Sequence, residues 1–284
     1  MDRLSLIKGK SLNLLDNLYI KHPTLSEIEN LGENKYYEYL SCLTATSVDV
    51  ADILWFDLGI WYEDIENEWD FFLQKCLSNN ESVKIRIKRS GSNLVKTERN
   101  CIAINKKYTD AINFFLGTTG IYIVAEINTF EKQKILYNAT PVFKDDKFSY
   151  YFVDEEKSIK FTDFIYRETM KFLMQINWIS KEYDFLKGGT KGAKRYILDN
   201  MHKKRKKTHK DVIDLGSITS SLISKGIDAE FVWNMPIYLF YDVYYRLMKI
   251  DEYNNTANAF YNGCIDVKKN PINWEKINWT TIIK

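Results

Sequence analysis

The sequence holds three histidines and four cysteines among 284 residues, and neither type clusters. Cys42, Cys76, Cys101 and Cys264 are widely spaced, form no CxxC pair and have no histidine at ligand spacing. A zinc site is therefore not expected, and scattered free thiols suit a reducing compartment. His22 sits at a helix start, while His202 and His209 lie inside a cationic run whose charges oppose a bound cation. None of the three makes a good catalytic base. GxSxG, HExxH, Walker and dinucleotide fingerprints are missing, and Asp145, Asp146, Glu155 and Glu156 fall in stretches that read as exposed turns. These absences point away from an enzyme and require no cofactor or metal. No apolar run approaches the ~18 residues that span a bilayer. The N-terminal MDRLSLIKGKSLNLL has a cation but neither an h-region nor a cleavage site, so a cytosolic chain without a membrane partner is expected.

The composition is that of a globular protein, with 45% hydrophobic and 27% charged residues, which excludes collagen-like, membrane-spanning and fully disordered classes. A chain of this length buries most of its apolar surface without disulfides or metals. Aromatics are plentiful at 15%, with 19 Tyr, 16 Phe and 7 Trp. They serve cores and interfaces alike, because Tyr and Trp join a large apolar face to a polar tip.

Three regions follow one another. The first, residues 1–78, reads as helical. Thr24-x-x-Glu27 and Ser26-x-x-Glu29 offer capping boxes after Pro23, and a helix should run from there through Tyr36, Tyr39, Leu40 and Leu43. A second start at Ser47 leads into Ile53 and Leu54. After Gly59, Ile65, Trp69, Phe72, Leu73 and Cys76 share a helical face, opposite an acidic surface of Glu63, Asp64, Glu66, Glu68 and Asp70. Residues 82–154 change period. Val83 to Lys88 alternates apolar and basic residues, as a half-buried strand does, and a turn at Ser90 to Asn93 joins it to Leu94 to Asn105 as its antiparallel partner. A short helix over Asp110 to Leu116 ends at Gly117. The β-rich stretches Ile121 to Ala125, Lys134 to Tyr137 and Phe148 to Val153 follow it. In the third region, 158–284, helix returns: Phe161, Phe164, Ile165, Phe172, Ile176 and Ile179 share a face. Asp211 should cap a helix bearing Leu215, Ile218 and Leu222, another should start at Pro236, and a last one should pass through Tyr253, Ala257 and Phe260. The tail with Pro271, Trp274 and Trp279 reads as extended. The expected class is thus α+β, with helical N- and C-terminal regions around an inserted, mostly antiparallel β-sheet, and with 1–78 and 158–284 able to pack as one domain.

A basic linker at 187–210 interrupts the third region. Ten Lys or Arg residues there stand against one acid, Asp199, a local balance of +9 in a chain of net +2, so the remainder carries −7. Lys187 to Gly192 has the composition of a phosphate loop without its spacing or its preceding strand. The run Lys203, Lys204, Arg205, Lys206, Lys207 repels itself and reads as mobile. Three uses fit it: a solvated loop, contact with an acidic protein surface, and nucleic-acid binding through phosphates. No zinc-finger, helix-turn-helix or RNA-recognition signature accompanies the last.

Three further stretches stand together: Pro23 to Ile28 leading into Gly32 to Tyr39, Trp233 to Asp242 leading to Arg246, and Lys249 to Tyr253. Their combination resembles small tail-morphogenesis proteins of tailed bacteriophages and prophages of Gram-positive bacteria, the group that includes tail assembly chaperones. The long β segment departs from the short helical chaperones. The resemblance implies no catalytic residues. It implies residence in the host cytoplasm or the virion tail, with tape-measure, tube or baseplate proteins as partners. An aromatic helix bearing Tyr238, Tyr241 and Tyr245 would then receive a partner segment in an apolar groove, or would pack on the helix that follows Asp211.

Overall fold

The computed structural model describes residues 1–15, 18–59, 61–65, 67–76, 82–87, 97–102, 106–118, 121–127, 148–154, 159–180, 189–207, 214–265, 269 and 271–280. Asp2 caps α1 (Arg3–Ile7) by accepting from the Ser5 N–H at 2.7 Å. An antiparallel hairpin follows, β1 (Leu12–Leu15) with β2 (Leu18–Ile20), in which Leu18 and Ile20 are buried and Tyr19 is exposed. The N-terminal region was expected to be wholly helical. A strand of three residues carries too little periodicity to announce itself, and tertiary contact fixes its continuation: the Lys21 N–H donates to the Phe115 carbonyl at 2.7 Å.

Thr24 forms its capping box with Glu27, both bonds present at 3.3 and 3.0 Å, and opens α2 (Leu25–Leu31). The expected continuous helix breaks at Gly32, whose φ of 93° no side-chain-bearing residue adopts easily, and α3 (Glu33–Thr44) begins directly after it. Next come α4 (Ala51–Leu58), a 3-10 turn over Tyr62–Asp64, and α5 (Glu68–Cys76). Trp69, Phe72 and Cys76 are buried as their spacing suggested, whereas Ile65 precedes the helix and packs elsewhere. The acidic surface is partly engaged, since Glu68 accepts from the Ser47 backbone at 2.9 Å and from its hydroxyl.

The β segment is antiparallel, as its alternation indicated. It forms two separate sheets among the described residues. β3 (Ser82–Ile87) pairs with β4 (Thr97–Ile102) with Val83 opposite Cys101, and β5 (Ile121–Ile127), β6 (Phe148–Asp154) and β7 (Ile159–Phe161) pair in that order. The Ser90 to Asn93 turn and the Lys134 to Tyr137 stretch lie outside the described residues. Between the sheets, α6 (Lys106–Leu116) buries Ala111, Ile112, Phe115 and Leu116 in the main core. Phe161 ends a strand instead of opening a helix. In α7 (Asp163–Ile176), Phe164 is 60% exposed, because the face from Ile165 through Ile176 is what meets the core.

The basic linker, expected to be mobile, is helical over α8 (Lys191–Lys207). α8 is followed by α9 (Leu215–Ser224), which Asp214 caps, while the expected cap Asp211 lies outside the described residues; then come α10 (Ala229–Asn234), α11 (Ile237–Tyr261) and α12 (Trp274–Ile277). Lys and Arg are good helix formers once their repulsion is relieved, and α8 finds an apolar anchor and counter-charges described below. α11 merges the helix expected from Pro236 with the separate one expected through Tyr253; no Gly or Pro intervenes between them, and Lys249 pairs with Glu252 at 2.6 Å. The tail read as extended carries the turn of helix in α12.

Two apolar clusters result. The main one joins α2, α3, α6 and α7 with α9 to α11, and absorbs many of the aromatics: Phe72 stacks on Tyr166 with centroids 4.4 Å apart, and the buried Tyr36 hydroxyl donates to Asn177 Oδ1 at 2.7 Å. The second joins α4, the 3-10 turn, α5 and α8 through Ala51, Leu54, Trp61, Tyr62, Phe71 and Leu198. The architecture is α+β with helical termini. No helix among the described residues is long and apolar enough to cross a membrane.

Candidate protein-binding surface

Two surfaces collect the residues the sequence singled out, one on α11 and one on α8. α11 starts at a fixed point. Pro236 supplies φ −59° for the first turn, the Ile237 N–H donates to the Pro23 carbonyl and the Leu25 N–H to the Met235 carbonyl, each at 3.0 Å. Gly9 touches the Pro236 ring so closely, at φ 69°, that a Cβ there would lie 2.4 Å from Cγ. Farther along the helix, buried Asp242 accepts from Arg3 at 2.8 Å and from Arg246 at 2.9 Å, and Arg246 also donates to the Trp279 carbonyl at 2.6 Å. The carboxylate thereby ties both chain ends to α11 with charge-assisted bonds.

The three tyrosines expected on a groove occupy different depths. Tyr238 is buried, its ring 5.7 Å from that of Trp178. Tyr241 is half-buried, with its hydroxyl 3.1 Å from that of Tyr37, and burial pushes its pKa well up. Tyr245 is 41% exposed and stacks on Trp178 at 5.0 Å. The main packing partners of α11 are α1, α7 and α12, while α9 packs on α10.

Farther along, α11 leaves the core. Tyr253, Phe260 and Tyr261 are exposed there, Tyr261 to 82%, and Trp274 of α12 folds back onto the Tyr253 and Phe260 rings at 5.7 and 6.0 Å. From Tyr253 to Ile265 the sequence contains no charged residue. This charge-free run inside a chain that is 27% charged is the signal by which sequence reasoning could have found the patch. An exposed helix end without charge, carrying aromatics and asparagines, has the make-up of an interface centre, where charged side chains are depleted and Tyr and Trp enriched.

On the other side, α8 sits on a cradle made by α4 and the 3-10 turn. Lys191 lies over the Trp61 ring at 5.2 Å and Arg195 over Trp55 at 4.7 Å. Lys194 pairs with Glu63, which also accepts from the Trp61 indole at 2.8 Å, and the Lys194 ammonium holds the Glu63 carboxyl below the usual carboxylate range. His202, expected among like charges, has its ring 3.3 Å from the fully buried Asp52 carboxylate and stacked 4.9 Å from Phe56. Lys203 pairs with Asp199 one turn back. Positions 204 to 207, bearing Lys204, Arg205, Lys206 and Lys207, complete the helix.

His22 is far from both surfaces in role. It is buried under Phe172 and accepts the Tyr238 N–H through Nε2 at 3.3 Å. Burial drives its pKa down to about 4, which the Lys10 backbone only partly offsets. Its Nδ1 has no well-formed hydrogen bond. Among the described residues no group of His, Cys, Asp or Glu is arranged to hold a metal ion.

Residues 203–284 match a family model described as the YomV second domain. The matched segment runs from the end of α8 through α12 and is less than a third of the chain; it suggests a phage-related protein. No curated protein and no solved structure matches the chain.

Proposed function

We propose that the chain is a non-enzymatic assembly protein of a phage tail or baseplate, acting by binding other tail proteins as a chaperone or minor structural component. The observation that carries this reading is the exposed, charge-free aromatic end of α11 with Trp274, lying inside the segment similar to the YomV second domain. The clamp at Asp242 and the stop at Pro236 hold the base of α11, so its far end is presented as a preorganised helix face. Binding then loses little ordering entropy, and an amphipathic or extended partner segment gains burial against the Tyr253, Phe260 and Trp274 rings.

The test is co-purification from phage-infected or prophage-induced cells, with mass spectrometry of the bound proteins and of purified particles. Tape-measure, tube or baseplate components should be enriched with the wild type and lost with Tyr261→Glu combined with Phe260→Ser, both at exposed positions. Presence in mature particles identifies a structural component, and presence only in assembly intermediates identifies a chaperone. Recovery of no tail component, or equal recovery with the variant, refutes the reading.

A further inference from the structure

The helix α8 is docked along its N-terminal part. In its first half Lys191 and Arg195 rest on Trp61 and Trp55 and Lys194 on Glu63. Leu198, Met201 and the His202 to Asp52 contact continue the docking as far as residue 202. Beyond it the sequence places five consecutive cations, Lys203 to Lys207, on backbone that is still helical. Successive positions on an α-helix are about 100° apart, so a run of five passes around the whole axis. A flat partner, an acidic protein face included, meets only one side of such a run. A groove with a phosphate row on either side meets several at once, and the major groove of a duplex, about 12 Å wide, admits an α-helix. Tyr196, 69% exposed, lies seven residues before Lys203 and so on the same helical face, where its ring is free to contact sugar or base. Outside 187–210 the chain carries −7, which repels a polyanion from the other surfaces and orients it toward this one.

We infer that the C-terminal end of α8 binds duplex nucleic acid through its phosphate backbone, without sequence preference, and that α4 with the 3-10 turn is the clamp presenting it. The inference stands apart from the assembly reading, which uses the far end of α11. A helix docked over most of its length is preorganised, so its backbone does not have to be ordered upon binding. Four to five phosphate contacts imply an affinity that falls with salt at a logarithmic slope of about −4.

Fluorescence anisotropy of a labelled random-sequence DNA duplex with the purified full chain tests this. Binding at about 50 mM salt should weaken a few hundred-fold by about 200 mM. Replacing residues 203 to 207 together by Gln, which keeps helix propensity, should abolish it. If that variant loses its thermal transition, Lys204→Gln with Lys206→Gln is read in its place, with the slope reduced by about 2. Absence of wild-type binding at the lower salt overturns the inference, as does unchanged binding by the Gln variant that folds. Equal affinity for poly-glutamate also overturns it and assigns the helix to acidic proteins.

Discussion

Acidification should weaken the fold in a window set by His22. The ring is 5% exposed, edge-on to Phe172, and its pKa is lowered from 6.5 to about 4, chiefly by burial. Because the folded-state pKa is depressed, the neutral ring is the form the fold accommodates. Above pH 6.5 both folded and unfolded chains hold it neutral and nothing is lost. As pH falls through 6.5 the unfolded chain takes up a proton first, so stability drops, and the loss levels off only below about pH 4. The full shift corresponds to about 3 kcal/mol, of which about 2 kcal/mol is lost by pH 5, before most carboxylates titrate. Urea unfolding followed by tryptophan fluorescence at about pH 7.5, 6 and 5 measures this for the wild type and for His22→Gln, whose amide oxygen can still accept the Tyr238 N–H. The stability difference between the two should change by about 2 kcal/mol across the range, to the disadvantage of the wild type at low pH. A difference that stays constant with pH, or a His22 ring that titrates near 6.5 by NMR, refutes the reasoning.

Other substitutions probe the frame that holds α11. Gly9→Ala puts a Cβ 2.4 Å from Pro236 Cγ at a backbone φ of 69°, and should cost about 2 to 3 kcal/mol, read as a lowered urea midpoint. Asp242→Asn leaves Arg3 and Arg246 without their counter-charge in a partly buried site, and a loss of about 2 kcal/mol is expected, with faster proteolysis at both chain ends. Among the thiols, Cys264 is exposed, whereas burial pushes Cys42 up to about 11 and Cys76 well above its ordinary value. A disulfide reagent should therefore modify Cys264 in the native protein and reach Cys42 and Cys76 only on unfolding, followed by peptide mass spectrometry.

Much of the frame was legible in the sequence, where a feature is local. The Thr24 to Glu27 capping box is complete within four residues, and Pro236 fixes φ by its own ring. The alternation of Val83 to Ile87 has a period of two that only a strand satisfies, and the pairing with the next strand follows. What misled was also local: Asp211 and Asp214 are equally good caps by type, and Gly32 interrupts a hydrophobic spacing that would carry a helix across it.

The composition and order of residues determined that this chain folds as α+β with helical ends, that its charge is segregated, and that the stretch after Tyr253 is free of charge. Tertiary structure decided what those patterns do. A run of like charges has no preferred conformation on its own, and it became α8 because Trp55, Trp61 and Glu63, more than a hundred residues earlier, supply rings and a counter-charge at its first half. The aromatics divide in the same way: Tyr238 and Tyr261 are both tyrosines of one helix, yet one is buried and the other 82% exposed. Side-chain type fixes what burial would gain, whereas only the packing of α1, α7 and α12 along α11 decides which positions obtain it.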